Sequence, residues 1–200
     1  MNYLTKEFAE KQAAEDFVKY CAVLGPKALT LPIDPDRLAE VLWGTRVVYL
    51  KEGELPGDAI AFADLKDNQI VIESSGYEQR DRFSVAHEVG HFSLHKYLVD
   101  LNEVDSKNKR FHESQADAYA SVLLMPKEMV LRCVRENSGM LSDDSLLIMI
   151  VSEKFFVSKK AAEIRLKSLG LIKNDNMSFI INKRETEMQY KRDNWKQNNK

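Results

Sequence analysis

Cysteine is scarce in this chain: two in 200 residues, Cys21 and Cys133, far apart and each in an apolar helical setting. That excludes a disulfide framework and argues against a cysteine-built metal site; both read as reduced core thiols of a cytosolic protein. Long apolar runs are missing as well. The longest, Leu146 to Val151, has six residues, against about 20 for a membrane-spanning helix. The opening Met1-Asn-Tyr-Leu-Thr-Lys-Glu7 turns charged at once with no apolar stretch behind it, so no secretory leader is expected and a cytoplasmic location is. Charge of one sign is absent too: the net charge of −2 provides no global field for nucleic acid. No internal repeat or glycine-rich phosphate loop is visible. A chain this long buries about 70% of its unfolded surface, so it folds without a staple.

What is present is concentrated in His87-Glu-Val-Gly-His91. Residues four apart share one face of an α-helix, about 6 Å from each other. That separation lets both imidazoles coordinate one Zn²⁺ at about 2 Å. Glu88 points in a neighbouring direction, suited to holding a water rather than the metal, which is the pattern of a zinc hydrolase helix. With 4 His and 17 Glu in the chain, roughly 0.007 chance matches to this pattern are expected, so a third ligand and a helical setting must support it. The setting is favourable: Phe83, Val85, Ala86, Val89, Gly90, Phe92, Leu94 and Leu98 make 83–98 apolar over a broad arc, as a buried metal-site helix requires. The alternative is a buried helix with two satisfied histidines.

A third ligand on the same helix would need Gly at 94 and His at 97, where this chain has Leu94 and Tyr97. A downstream acid is therefore required, and Glu103, Asp105, Glu113 and Asp117 are near. Glu113 is the best choice, because it opens a second helix with apolar residues at 116, 119, 120, 123 and 124, ended by Met125-Pro126. Asp117, one turn on, could accept a proton from His87 or His91 and fix its tautomer; the alternative is a helix-surface acid. His95, Tyr97, His112 and Tyr119 are candidates to stabilise an oxyanion.

Taken together, His87-Glu-Val-Gly-His-Phe-Ser-Leu-His95, Glu113-Ser-Gln-Ala-Asp-Ala-Tyr-Ala120 and Leu123-Leu-Met-Pro126 resemble the ImmA/IrrE family of metallo-endopeptidases. Arg82-Phe-Ser-Val-Ala86 fits, as do Phe155-Phe-Val-Ser158 and Ile164 to Ile172, so the likeness covers about residues 30 to 172. It implies zinc, with manganese able to fill the same ligands, held by His87, His91 and Glu113, with Glu88 as catalytic base. It also implies a role: cleavage or inactivation of a helix-turn-helix repressor or antitoxin encoded nearby, within phage, mobile-element or stress-response switches. The fold class expected is α+β: a minimal zincin-like domain, with a small antiparallel sheet packed on helices that include the His-Glu helix, followed by a helix-turn-helix-like subdomain.

The rest of the chain fits that outline. Lys6 to Leu24 reads as an amphipathic helix with Phe8, Ala13, Phe17, Cys21 and Leu24 along one side. Asp34 caps a second helix, with Pro35 in its first turn and Gly44 as its stop. Arg46 to Leu50, Ala59 to Ala63 and Ile70 to Glu73 are strand candidates, the last expected near an extended substrate. Lys127 to Glu136, Asp143 to Phe155 and Ser158 to Leu169 read as helices, with a short strand at Met177 to Ile181. The expected division is 1–130 for the metallopeptidase domain, 131–182 for the helical subdomain and 183–200 for a charged tail. Lys159, Lys160, Arg165 and Lys167 leave three readings for the helical part: a support with a solvated basic side, a dock for a repressor, or, weakest, a DNA contact. A non-proteolytic anti-repressor or toxin–antitoxin component, acting by binding alone, is the rival to the peptidase as a whole.

Overall fold

The structure is a computed structural model that describes residues 5–55, 60–64, 67–95, 106–137 and 144–172, with the backbone alone for 106–108. Helix α1 spans Lys6–Leu24, started by Thr5, whose Oγ1 accepts from the Phe8 N–H at 3.1 Å. Its buried face is Ala9, Ala13, Asp16, Phe17 and Tyr20, rotated from the expected stripe; Phe8, Cys21 and Leu24 are only half-buried. A 3-10 turn at Gly25–Leu29 leads to α2, Pro35–Trp43. There Asp34 caps through the Arg37 N–H at 3.1 Å, and Gly44 closes the helix in the left-handed region at φ 64°.

Strands β1 (Arg46–Leu50), β2 (Ala61–Asp64) and β3 (Gln69–Glu73) form one sheet in the order β1-β3-β2. The sheet is mixed, not antiparallel as expected: β1 runs parallel to β3, and β2 antiparallel to it. The reason lies in β3. Ile70, Val71 and Ile72 are all buried, and a strand apolar on both faces belongs in the middle of a sheet. Ile70 to Glu73 therefore has both edges paired and cannot receive a substrate strand. Asn68 anchors the hairpin beside it: its Nδ2 donates to the carbonyls of Trp43 at 3.2 Å and Gly44 at 3.1 Å. This ties β3 to the end of α2.

Helix α3, Glu78–His95, lies against the sheet. Asp81 joins the two, accepting from the Ser75 N–H at 2.9 Å and the Ser74 hydroxyl at 3.0 Å. Helix α4 spans Ser106–Leu124. Glu113 thus lies inside it and does not open it, since the polar run before it (Ser106 to Arg110) is itself helical. Helices α5 (Lys127–Glu136), α6 (Asp144–Phe155) and α7 (Lys159–Ser168) complete the described fold. Ser158 caps α7 through the Ala161 N–H at 3.1 Å. One apolar cluster runs through the whole, including Ala13, Ile72, Val89, Tyr119, Val151 and Leu166. Met177 to Ile181 and the charged tail lie outside the described residues. Among the described residues no helix is long and apolar enough to cross a membrane.

The basic residues of α7 are largely engaged within the fold. Arg165 is buried, and its Nε donates to the Met125 carbonyl at 3.0 Å, satisfying an orphan group at the end of α4. Lys160 and Lys167 both pair with buried Glu163. Ile164, expected on the apolar face, is exposed.

Helices α3 and α4 meet closely at Gly90. A Cβ there would lie 3.2 Å from the Ala116 Cα and 3.2 Å from two atoms of fully buried Tyr119. Gly90→Val should therefore destabilise the protein by about 1–3 kcal/mol, as overpacking does, despite the better helix propensity of valine. Urea unfolding measures it; an unchanged midpoint would mean the helices part without cost.

Candidate metal centre

Helix α3 brings His87 and His91 onto one face, their ring centroids 4.8 Å apart and their Nε2 atoms 3.1 Å apart. Helix α4 supplies Glu113, whose Oε2 lies 3.2 Å from His87 Nε2 and whose Oε1 lies 3.8 Å from His91 Nε2. All three ligand atoms fall within 4.8 Å of one another. Donors bound at about 2.0–2.1 Å around a tetrahedral ion stand roughly 3.3 Å apart, so two imidazoles and a carboxylate at these separations fit a divalent cation. Three protein donors are the number a catalytic zinc site uses, the remaining position going to water or substrate.

The other nitrogen of His87 is occupied. Its Nδ1 lies 2.9 Å from Asp117 Oδ1. Of the two histidines that could have served Asp117, the geometry selects His87. A carboxylate there holds the ring proton on Nδ1 and turns the Nε2 lone pair toward Glu113. Burial pushes His87 toward the neutral form, but the Asp117 hydrogen bond and the charges of Glu88, Asp117 and Glu113 prevail, raising its pKa above the usual value. Burial takes His91 the other way, down to about 3, helped by the nearby rings of His87, His95 and His112. His91 is therefore neutral at ordinary pH, the form that donates a lone pair.

Glu88 lies on the inner side of the pair and is only 8% exposed. Burial first, then the charge of Glu113, raises its carboxyl to about 7, despite a hydrogen bond from the Ala63 backbone and the proximity of His87. That contact puts strand β2 at the site. The Ile60 carbonyl accepts from the Glu73 N–H at 2.8 Å, so Ile60, Phe62 and Asp64 face β3. By alternation Ala61 and Ala63 turn their backbone groups to the outer edge of β2, which pairs with no strand among the described residues.

Of the oxyanion candidates, Tyr119 is fully buried with its hydroxyl committed to Asp16 at 2.9 Å. His95 is buried between His91 and Gln115. His112 is half-buried against His95, at 4.5 Å between centroids. Tyr97, and the rival third ligands Glu103 and Asp105, lie outside the described residues. Residues missed from the sequence are Asp16, Gln115 and Ala63. An aspartate between Ala13 and Phe17 on an apolar helix face was the available signal for the first. Nothing local marks the other two.

Two imidazoles and a carboxylate gathered between packed helices, with a buried glutamate beside them, define a metallopeptidase-type domain. Residues 43–167 match the peptidase family described as the IrrE N-terminal-like domain, and the chain belongs to that family. The fold is similar to that of a Mycobacterium tuberculosis transcriptional regulator, with a TM-score of 0.54 and 16% identity, over 77% of this chain and 45% of that one. The chain thus spans less than half the length of that regulator. No curated protein matches it.

The raised Glu88 carboxyl has a stability consequence. The folded state holds this proton up to about pH 7, whereas an unfolded glutamate releases it near 4.3. Stability from this group is thus greatest at low pH and falls as pH rises between those values. Metal-free Glu88→Gln should therefore be more stable than the parent at pH 8, by about 2–4 kcal/mol, and by only about 1 kcal/mol at pH 5. Urea titrations at both values check this; equal stability at both would mean that Glu88 is well solvated.

Proposed function

We propose that the chain is a cytosolic, zinc-dependent endopeptidase that cuts a helix-turn-helix repressor or antitoxin. The observation that carries this is the convergence of His87 Nε2, His91 Nε2 and the Glu113 carboxylate within 4.8 Å, with the buried Glu88 on the same helix as the two histidines. His87, His91 and Glu113 would hold the ion, and manganese suits the same donors. Bound there, the metal would polarise the scissile carbonyl and acidify a water. Glu88 is the base that takes the water's proton and returns it to the leaving amine. In the metal-free site burial raises this carboxyl above the ordinary glutamate range, the direction that suits a general base. Asp117 keeps the Nδ1 proton of His87 in place. The outer edge of β2, through the Ala61 backbone and the Ala63 carbonyl, offers groups on which an extended peptide could pair beside Glu88.

The choice of target rests on the likeness to the ImmA/IrrE family, and the regulator with a similar fold agrees with a role in gene control. Proteins of that kind are met in the cytoplasm, where the unpaired thiols Cys21 and Cys133 stay reduced. Protein docking is favoured over DNA binding for α6 and α7, because Lys160, Lys167 and Arg165 are engaged by Glu163 and Met125. Lys159 is exposed, and one lysine makes a poor phosphate track.

The test is incubation of the purified chain with the helix-turn-helix regulators encoded beside its gene, with and without chelator. Cleavage should stop on chelation. Glu88→Gln should keep its metal while cutting turnover by about 10²- to 10⁴-fold, whereas Glu113→Ala should lose metal, read by elemental analysis. Full activity in Glu88→Gln removes it as base. Stoichiometric zinc in Glu113→Ala undoes the ligand assignment, and tight binding without cleavage favours an anti-repressor.

A further inference from the structure

All 4 histidines of the chain stand in one file. Ring centroids are 4.8 Å apart from His87 to His91, 5.0 Å from His91 to His95 and 4.5 Å from His95 to His112. Donor counting gives the file a direction. Gln115 Nε2 donates to the Thr5 carbonyl at 3.4 Å, at the cap of α1. A carbonyl only accepts, so the amide cannot be flipped, and its oxygen must face His95. His95 Nε2 lies 3.1 Å from that Oε1 and therefore carries the His95 proton. The neutral ring then presents a lone pair at Nδ1, which lies 2.9 Å from His91 Nδ1. His91 must donate there, which leaves its own lone pair on Nε2, the atom facing Glu113 and His87. Reversing any link sets two lone pairs or two hydrogens face to face. His95 and Gln115 are 8% and 2% exposed, so bulk water is a poor substitute for either.

We propose that His95 and Gln115 are positioning residues that fix the tautomer and ring orientation of His91, anchored through the Thr5 carbonyl on α1. This rests on His91 being a metal ligand. It gives the two imidazoles opposite kinds of support. His87 leans on Asp117, a carboxylate 63% exposed, and His91 on a neutral, buried chain that crosses three helices. A neutral partner orients the ring without adding charge to a site that already holds Glu88, Glu113 and Asp117.

The test uses zinc as the probe. Zinc affinity of the parent, Gln115→Leu, His95→Phe and the double variant is measured by competition with a chromogenic chelator. Gln115→Leu and His95→Phe should each weaken binding about 10- to 100-fold. The double variant should be no weaker than His95→Phe, because both act through one chain. Long-range proton–nitrogen correlation spectra of the unmutated protein should show His95 protonated on Nε2 and His91 on Nδ1, a signature that survives if a variant fails to fold. Unchanged affinity in Gln115→Leu, or a His95 proton on Nδ1, overturns the relay while leaving the metal site intact. A parent that takes up no zinc overturns both.

Discussion

The site depends on how closely α3 and α4 approach. Neither helix can build the candidate site alone: His87 and His91 come from one, Glu113 and the Asp117 that holds His87 from the other. Ligands at about 2 Å from a shared ion tolerate little relative movement. The approach is set by Gly90, which has no side chain to hold the helices apart, against Ala116 and Tyr119. Gly90 sits directly before His91 and Ala116 directly before Asp117, so the packing contact and the chemical contacts occupy the same turn of each helix. Packing at this density transmits any shift straight to the donors.

Behind that contact lies a second, polar one. Asp16 on α1 is buried and accepts from the Tyr119 hydroxyl at 2.9 Å, the Ser93 hydroxyl at 2.5 Å and Lys19 Nζ at 2.8 Å. One carboxylate thus ties α1 to both helices of the site. A buried charge is tolerated only when its lone pairs are filled, and here a cation and hydroxyls on three helices fill them. Tyr119 serves both contacts, its ring against Gly90 and its hydroxyl on Asp16, which explains a large polar aromatic in the middle of the core.

Features set by nearby residues were legible in the sequence. The spacing of His87 and His91, the caps at Asp34 and Ser158, the stop at Gly44 and the break at Pro126 are all decided within a few residues, and the structure has each. Features set by distant partners were not. The run Ile70-Val71-Ile72 hints locally at a central β3, but the parallel pairing of β1 with it depends on distant segments. The start of α4 at Ser106 was hidden because a polar helix carries no apolar rhythm before Glu113. The pairing of the α7 lysines was hidden for a similar reason. Glu163 sits four residues before Lys167 and three after Lys160, a spacing that allows pairing on a helix, but only burial made those pairs decisive. Asp117 was read as a partner for one of two rings, and the fold selected His87.

The outer strand next to Glu88 is only four residues long, a ledge of about 13 Å. If the proposed substrate pairs there, its chain must be straight, and a helix in a regulator's DNA-binding domain is not. To lie there, such a segment must first give up its own hydrogen bonds, at the cost of locally melting its domain. A hinge or linker that is already loose would escape that cost. Susceptibility would then follow the target's local folding equilibrium as much as the identity of its side chains, so a signal that merely softens one joint of a repressor could mark it for destruction.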